Sequence, residues 1–169
     1  MLKLVLPKGS LEKATLQLFE EADLAVRRTS DVDYRASVDD PRIADVRILR
    51  PQEIPSYVED GLFDIGIAGR DWIEETSSDV VSLGELKYSK VTAKPVKIVV
   101  AVPADSDYEV LSDLPQGVRV SSEYPELTNR HFAASGVKAD VRLSYGATKA
   151  KAPAVSYTHL RAHETREDL

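Results

Sequence analysis

The chain has 169 residues, 43% hydrophobic and 30% charged, enough for one good core or two small domains in a protein that folds in water. Its net charge of −6 argues against general nucleic-acid or membrane-surface binding, and the absence of cysteine excludes disulfides and thiolate chemistry. Residues 1–10 lack the features of a secretory leader, and no apolar run approaches the roughly 18 to 20 residues of a membrane span. A cytoplasmic protein with neither nucleic-acid nor membrane partners is expected.

Residues 1–6 run apolar as a buried strand does. They lead through Pro7-Lys8-Gly9-Ser10 into Leu11, Ala14, Thr15, Leu18, Phe19 and Ala22, which repeat at helical spacing. A strand entering a helix through a glycine turn is suited to an anion. Gly9 permits the tight turn, Ser10 is placed to cap the helix, and unpaired N–H groups at the helix start point outward beside the Lys8 charge. The same residues also read as a capped helix with a surface lysine.

Val26, residues 35–38 and residues 46–49 read as short strands, separated by Thr29-Ser30-Asp31 and Asp39-Asp40-Pro41. Pro51 is placed to open a second helix, with Ile54, Tyr57 and Val58 on its apolar face and Gly61 closing it. Residues 63–69 form another apolar strand, delivering Gly69-Arg70-Asp71 onto a helix near Trp72. Alternation of strand and helix makes the class α/β, and in open α/β sheets ligands bind at the carboxyl ends of strands. Residues 80–86 read as a further strand and 87–95 as a crossover.

Residues 96–103 and 118–121 read as strands of a second sheet, followed by a helix over 127–134 that ends at Ser135-Gly136. Residues 137–143 return as a strand to Ser144-Tyr145-Gly146-Ala147-Thr148. The domains expected are 1–93, 94–153 and a polar tail over 154–169. The tail shows no sustained apolar period and reads as disordered and foreign to the domain. His159 and His163 lie in it at metal-ligand spacing, without a recognisable third ligand.

Leu-Pro-Lys-Gly-Ser (6–10), Val-Asp-Asp-Pro (38–41), Arg-Pro-Gln-Glu-Ile-Pro-Ser-Tyr-Val-Glu-Asp-Gly (50–61), Asp-Ile-Gly-Ile-Ala-Gly-Arg-Asp-Trp (64–72) and Tyr-Gly-Ala-Thr (145–148) together resemble the ATP phosphoribosyltransferase family, in its long form. The resemblance implies a two-lobed, periplasmic-binding-protein-like (type II) α/β fold with substrates in a cleft. It also implies the first step of histidine biosynthesis, ATP plus phosphoribosyl pyrophosphate (PRPP) giving phosphoribosyl-ATP and pyrophosphate. Adenine N1 displaces pyrophosphate directly, so the implied catalysis is positioning and charge, with Mg²⁺ accompanying the substrates and no protein metal site or nucleophile. The implied assembly is a homo-oligomer.

By this resemblance Lys8, Gly9 and Ser10 face substrate phosphates, while Arg50 and Gly69-Arg70-Asp71 border the cleft. Lys90 belongs to a set of lysines (87, 90, 94, 97) that either make it basic or form a solvated face. Glu123, Tyr124 and Thr128 stand at a second strand-to-helix junction, for adenine or ribose contact or for capping, and Gly146 and Thr148 lie in the last turn. Arg50 either meets a ligand or pairs with Glu53 or Asp71, and Trp72 reads as core. Lys149 departs from the family, which carries glutamate there. The chain also stops before the acidic strand and Thr-Gly-rich loop that holds the PRPP 5-phosphate. The resemblance therefore implies a truncated second lobe and an inactive form. A nucleotide or small-anion binding module without catalysis is the alternative.

Overall fold

The computed structural model describes residues 1–86, 98–103 and 105–146, together with the backbone of 157–161. The chain forms two compact units, Met1–Ala93 and Lys94–Leu169. Each contains a four-stranded mixed sheet, so the fold is α/β.

In the first unit β1 (Leu2–Pro7) is followed by α1 (Glu12–Glu21), β2 (Arg35–Ala36), β3 (Ile43–Leu49), α2 (Ile54–Glu59), β4 (Ile65–Gly66) and α3 (Arg70–Thr76). The sheet order is β2-β3-β1-β4, with β1 parallel to both β3 and β4 and β2 antiparallel to β3. An inner strand between parallel neighbours is buried on both faces, which is why Leu4-Val5-Leu6 is continuously apolar. Leu4 and Leu6 form a core with Val38, Val46 and Ile48, against which Leu16 and Phe19 of α1 pack. Val5 points instead toward the face covered by α2: a methyl group on Gly66 would meet Ile54 Cγ2 at 2.7 Å, Val58 Cγ2 at 2.9 Å and Val5 Cγ1 at 3.1 Å. Trp72 is buried, as core.

The second unit runs β5 (Ile98–Ala101), a 3₁₀ turn (Leu111–Asp113), β6 (Val118–Ser122), α4 (Pro125–Ala134), β7 (Ala139–Leu143) and β8 (Tyr157–Arg161). Its sheet order is β5-β8-β6-β7. Leu114, Val118, Val120, Phe132 and Val137 make its core. Gly136, at φ +72°, turns the chain out of α4 in the left-handed region that favours glycine.

Three elements depart from the sequence expectation. Residues 80–86 form no strand, and Val81, Leu83 and Leu86 are exposed. α2 opens at Ile54 with Pro55 in its first turn, because residues 51–53 are spent on a tight turn in which Glu53 N–H bonds the Arg50 carbonyl. Most notably, Tyr157–Arg161, in the stretch expected to be a disordered tail, is a strand. It runs antiparallel to β5 and parallel to β6 and supplies both with backbone partners that neither would otherwise have on that side. The crossover at 87–95, together with Lys87, Lys90, Lys94, Lys97, Thr148, Lys149 and His163, lies outside the described residues.

Candidate functional site

The parallel pairing sets the carboxyl ends of β3, β1 and β4 side by side. Pro7 of β1 pairs with Leu49 of β3, so Lys8 and Arg50, the next residue on each, leave neighbouring strands at the same level. Gly69 follows β4 by three residues, on the other side of β1. Three separated sequence motifs thus reach one edge of one sheet.

The Lys8-Gly9-Ser10 turn is anchored by its backbone, the Lys8 N–H donating to the Leu49 carbonyl at 2.7 Å. Gly9 takes φ +87°, which only glycine adopts without cost. Ser10 does not cap α1. The positive φ carries the chain through a further turn, so the helix begins at Glu12 behind Leu11, with no side-chain cap. The Ser10 side chain is exposed, and among the described residues neither the Ser10 nor the Leu11 N–H has a hydrogen-bond partner. Gly9 differs: its N–H donates to Glu12 Oε2 at 3.1 Å. The other oxygen of that carboxylate pairs with Arg28 Nη2 at 2.7 Å. Arg28 is only 14% exposed, and its Nη1 is buried without a partner among the described residues. A groove of about 920 Å³ runs from Gly9 along α1, bounded by Glu12, Lys13, Gln17 and Arg28.

The half-buried Lys8 has no ion-pair partner among the described residues. Its ammonium stands 4.5 Å from the centroid of the Tyr34 ring. Arg50 is exposed and pairs with neither Glu53 nor Asp71 among the described residues. Arg70 lies along α3 and pairs with Glu74 at 2.9 Å, as residues four apart on a helix do. Asp71 lies in the first turn of α3, where the helix dipole favours an acid, and its carboxylate fills the space beside Gly69 that a side chain there would need.

In the second unit the junction of β6 and α4 is closed by a buried polar cluster. Ser122 Oγ accepts the Tyr124 N–H at 2.9 Å and lies 2.9 Å from Thr128 Oγ1, whose hydroxyl donates to the Tyr124 carbonyl at 2.7 Å. Thr128 is 1% exposed and Tyr124 3%, so both are packed inside the unit; Thr128 sits within α4 and bonds back to the residue before the helix instead of capping it. Glu123 faces outward, and its Oε1 accepts the Gly146 N–H at 2.8 Å, tying the β6 terminus to the turn after β7. Gly146 has φ +59°. Thus Lys8, Gly9, Ser10, Arg50 and Gly69 to Asp71 share one sheet edge, Glu123 and Gly146 meet in the second unit, and Tyr124 and Thr128 are interior. Arg28, which pairs with Glu12, and Tyr34, which meets Lys8, are neighbours of the turn that local sequence pattern does not mark, since both reach it through tertiary structure.

Among the described residues no three or more His, Asp or Glu side chains converge as a metal cage. No described helix is long and apolar enough to cross a membrane.

The family model described as ATP phosphoribosyltransferase matches residues 50–158. The ATP phosphoribosyltransferase of Desulforudis audaxviator is 47% identical over 154 residues, which is 90% of this chain and 52% of that protein. That of Thermodesulfovibrio yellowstonii is 42% identical over 169 residues, 100% of this chain and 57% of its own length. A solved structure described as an ATP phosphoribosyl transferase (HisG:HisZ) complex from Thermotoga maritima shares the fold, with a TM-score of 0.73 at 22% identity over 94% of this chain and 73% of that one. The chain spans about half the length of the curated relatives it matches. With well over half of its residues inside the family match, the chain belongs to the ATP phosphoribosyltransferase family.

Proposed function

We propose that this chain carries the phosphate-binding turn of an ATP phosphoribosyltransferase, which joins ATP to PRPP and releases pyrophosphate in the first step of histidine biosynthesis. The observation that carries the reading is the turn after β1. It sets a lysine without a carboxylate partner beside the unbonded Ser10 and Leu11 amides, at the carboxyl end of an inner parallel strand. Ammonium and outward N–H groups together bind phosphate oxygens by charge-assisted bonds. Arg50, on the adjacent strand, adds a second cation at the same level.

In this reaction adenine N1 attacks the anomeric carbon of PRPP and the pyrophosphate group departs with the bonding electrons. The protein supplies alignment and positive charge, and proximity of this kind is worth about 7–11 kcal/mol. Mg²⁺ keeps several waters and binds phosphates in preference to protein cages, so in this reading it enters with the substrates, where it neutralises charge on the leaving pyrophosphate. Gly69 and Asp71 border the same edge, and Arg70, once released from Glu74, reaches it. In the second unit Glu123 and Gly146 form the ligand-facing pair, with Tyr124 and Thr128 holding their backbone from inside; Lys90 and Thr148 remain in the proposed set on the resemblance alone. The finer fold reading is a pair of lobes of the type II periplasmic-binding-protein kind, with the domains at 1–93 and 94–153. A cytoplasmic homo-oligomer completes the proposal.

Calorimetric titration of the chain with Mg²⁺-ATP and, separately, with PRPP tests it. Lys8→Ala is expected to weaken phosphate-ligand binding by about 1.5–3 kcal/mol, the range of a hydrogen bond to a charged group. Unchanged affinity removes the turn from the site. Binding without pyrophosphate release from the two substrates together would assign the chain a binding role instead of turnover.

A further inference from the structure

We infer that Tyr34 is a positioning residue for Lys8: its ring holds the ammonium toward the phosphate without neutralising it. The inference rests on the proposed role of the Lys8 turn. Lys8 Nζ lies 4.5 Å from the Tyr34 ring centroid, inside the distance at which a cation is attracted by an aromatic face.

The pair is built by the sheet. The Lys8 N–H bonds the Leu49 carbonyl at 2.7 Å, and the Ile48 N–H bonds the Tyr34 carbonyl at 2.9 Å. Consecutive residues of β3 therefore hold the two backbones from opposite sides, and the side chains meet by geometry that neither could supply alone. Tyr34 is 50% exposed, so its ring is not needed to fill the core.

The chemistry of the pairing explains why a ring suits the position. A lysine side chain has four rotatable carbon–carbon bonds, and ordering it on ligand binding costs rotamer entropy. A carboxylate partner would order it but would cancel its charge and occupy its N–H donors. The π-face orders the side chain through the quadrupole and leaves both the charge and the donors for phosphate oxygens. Among the described residues Lys8 has the ring and no carboxylate.

The test compares Tyr34→Phe, Tyr34→Leu and Lys8→Ala in the full chain, titrated with Mg²⁺-ATP, with PRPP, and with adenosine as a ligand lacking phosphate. Tyr34→Leu is expected to weaken the phosphate ligand that Lys8→Ala weakens by about two- to fivefold, with Tyr34→Phe restoring it and adenosine unaffected. Tyr34→Leu is expected to add nothing in the Lys8→Ala background. An upfield ring-current shift of the Lys8 ε-methylene protons, present in the unmodified chain and Tyr34→Phe and absent in Tyr34→Leu, reports the contact independently of binding. Loss of affinity in Lys8→Ala but not in Tyr34→Leu overturns the inference and leaves the turn's role standing. Equal loss in Tyr34→Phe and Tyr34→Leu, or no ring-current shift in the unmodified chain, also overturns it. No effect of Lys8→Ala, or no binding of either phosphate ligand, overturns the role of the turn and the inference together.

Discussion

The Gly9 N–H donates to the Glu12 carboxylate at 3.1 Å while Arg28 holds the other oxygen of that carboxylate at 2.7 Å. An internal anion thus occupies one amide of the turn proposed to receive phosphate. Glutamine at position 12 keeps an oxygen for the Gly9 N–H but removes the charge. A unit charge about 4 Å from a phosphate costs about 1 kcal/mol in a water-like dielectric, so Glu12→Gln is expected to tighten Mg²⁺-ATP or PRPP binding by about fivefold. Glu12→Ala is expected to cost about 1–3 kcal/mol of stability in urea unfolding, because it removes the nearer carboxylate from the mostly buried Arg28 and leaves it the exposed Asp31 at 3.3 Å. Unchanged affinity in Glu12→Gln would mean that phosphate does not approach the Gly9 side of the turn.

Gly66 stands where α2 crosses the sheet. A methyl group there would lie 2.7 Å from Ile54 Cγ2 and 2.9 Å from Val58 Cγ2, closer than carbon atoms pack. Gly66→Ala is therefore expected to force α2 away from β4 and lower stability by about 1–3 kcal/mol, measured by denaturant unfolding. Because β4 leads to Gly69 and Asp71, the same variant is expected to weaken any ligand that depends on that edge. Gly61, whose added methyl would meet nothing within 4 Å but whose φ is +70°, provides the contrast: there the cost of alanine is backbone strain alone.

β1, β3 and α1 were legible because burial between parallel neighbours and against one helix face writes itself into apolar runs and a helical repeat. The Lys8-Gly9-Ser10 turn is legible as the break between that apolar run and that repeat, but the cap expected at Ser10 does not form. That assignment depends on one φ angle, +87° at Gly9, which composition does not disclose. Residues 80–86 are as apolar as a strand yet form no strand with the described residues, while Tyr157–Arg161 has no sustained pattern yet pairs on both sides. Strand formation is decided by a partner elsewhere in the chain. Glu12, Arg28 and Tyr34 belong to the same class: their contacts join residues 16 to 26 positions apart, about which no local window carries information. The sequence is compatible with Thr128 as a cap or a ligand contact; its Ser122 and Tyr124 partners hold it in the interior.

Asp40, within the Val38 to Pro41 motif, titrates unusually low. Its carboxylate accepts hydrogen bonds from the Arg42 side chain, at 2.6 Å to Nη2, and from the Arg42 backbone N–H at 2.8 Å, and these hold its pKa down at about 2. A carboxylate lowered in the folded state stabilises the fold fully above its unfolded value, near 3.9, and loses that contribution as pH falls toward about 2. NMR titration of the Asp40 side-chain carbon is expected to show this low midpoint, returning to the ordinary range in Arg42→Ala. An ordinary midpoint in the unmodified chain would mean that the pair does not persist in solution.

Ser122 and Thr128 close the junction of β6 and α4 in the second unit from inside. The Thr128 hydroxyl lies 2.9 Å from Ser122 Oγ and 2.7 Å from the Tyr124 carbonyl, with Thr128 1% exposed, so its removal leaves buried polar atoms short of partners. Valine has nearly the same shape. Thr128→Val is nevertheless expected to destabilise the chain by about 1–3 kcal/mol, the cost of a buried group left unsatisfied. Thr128→Ser keeps the hydroxyl and loses one methyl, for about 1 kcal/mol. The two variants are separated by hydrogen exchange at the Tyr124 N–H, which bonds Ser122 Oγ at 2.9 Å. Exchange should quicken in Thr128→Val beyond its loss of stability and follow stability alone in Thr128→Ser. Glu123, between these residues, holds the Gly146 N–H at 2.8 Å, so loosening of the junction in Thr128→Val should reach Gly146 through that bond. If Gly146 exchange is unchanged in Thr128→Val while Tyr124 exchange rises, the buried cluster positions α4 but not the turn after β7.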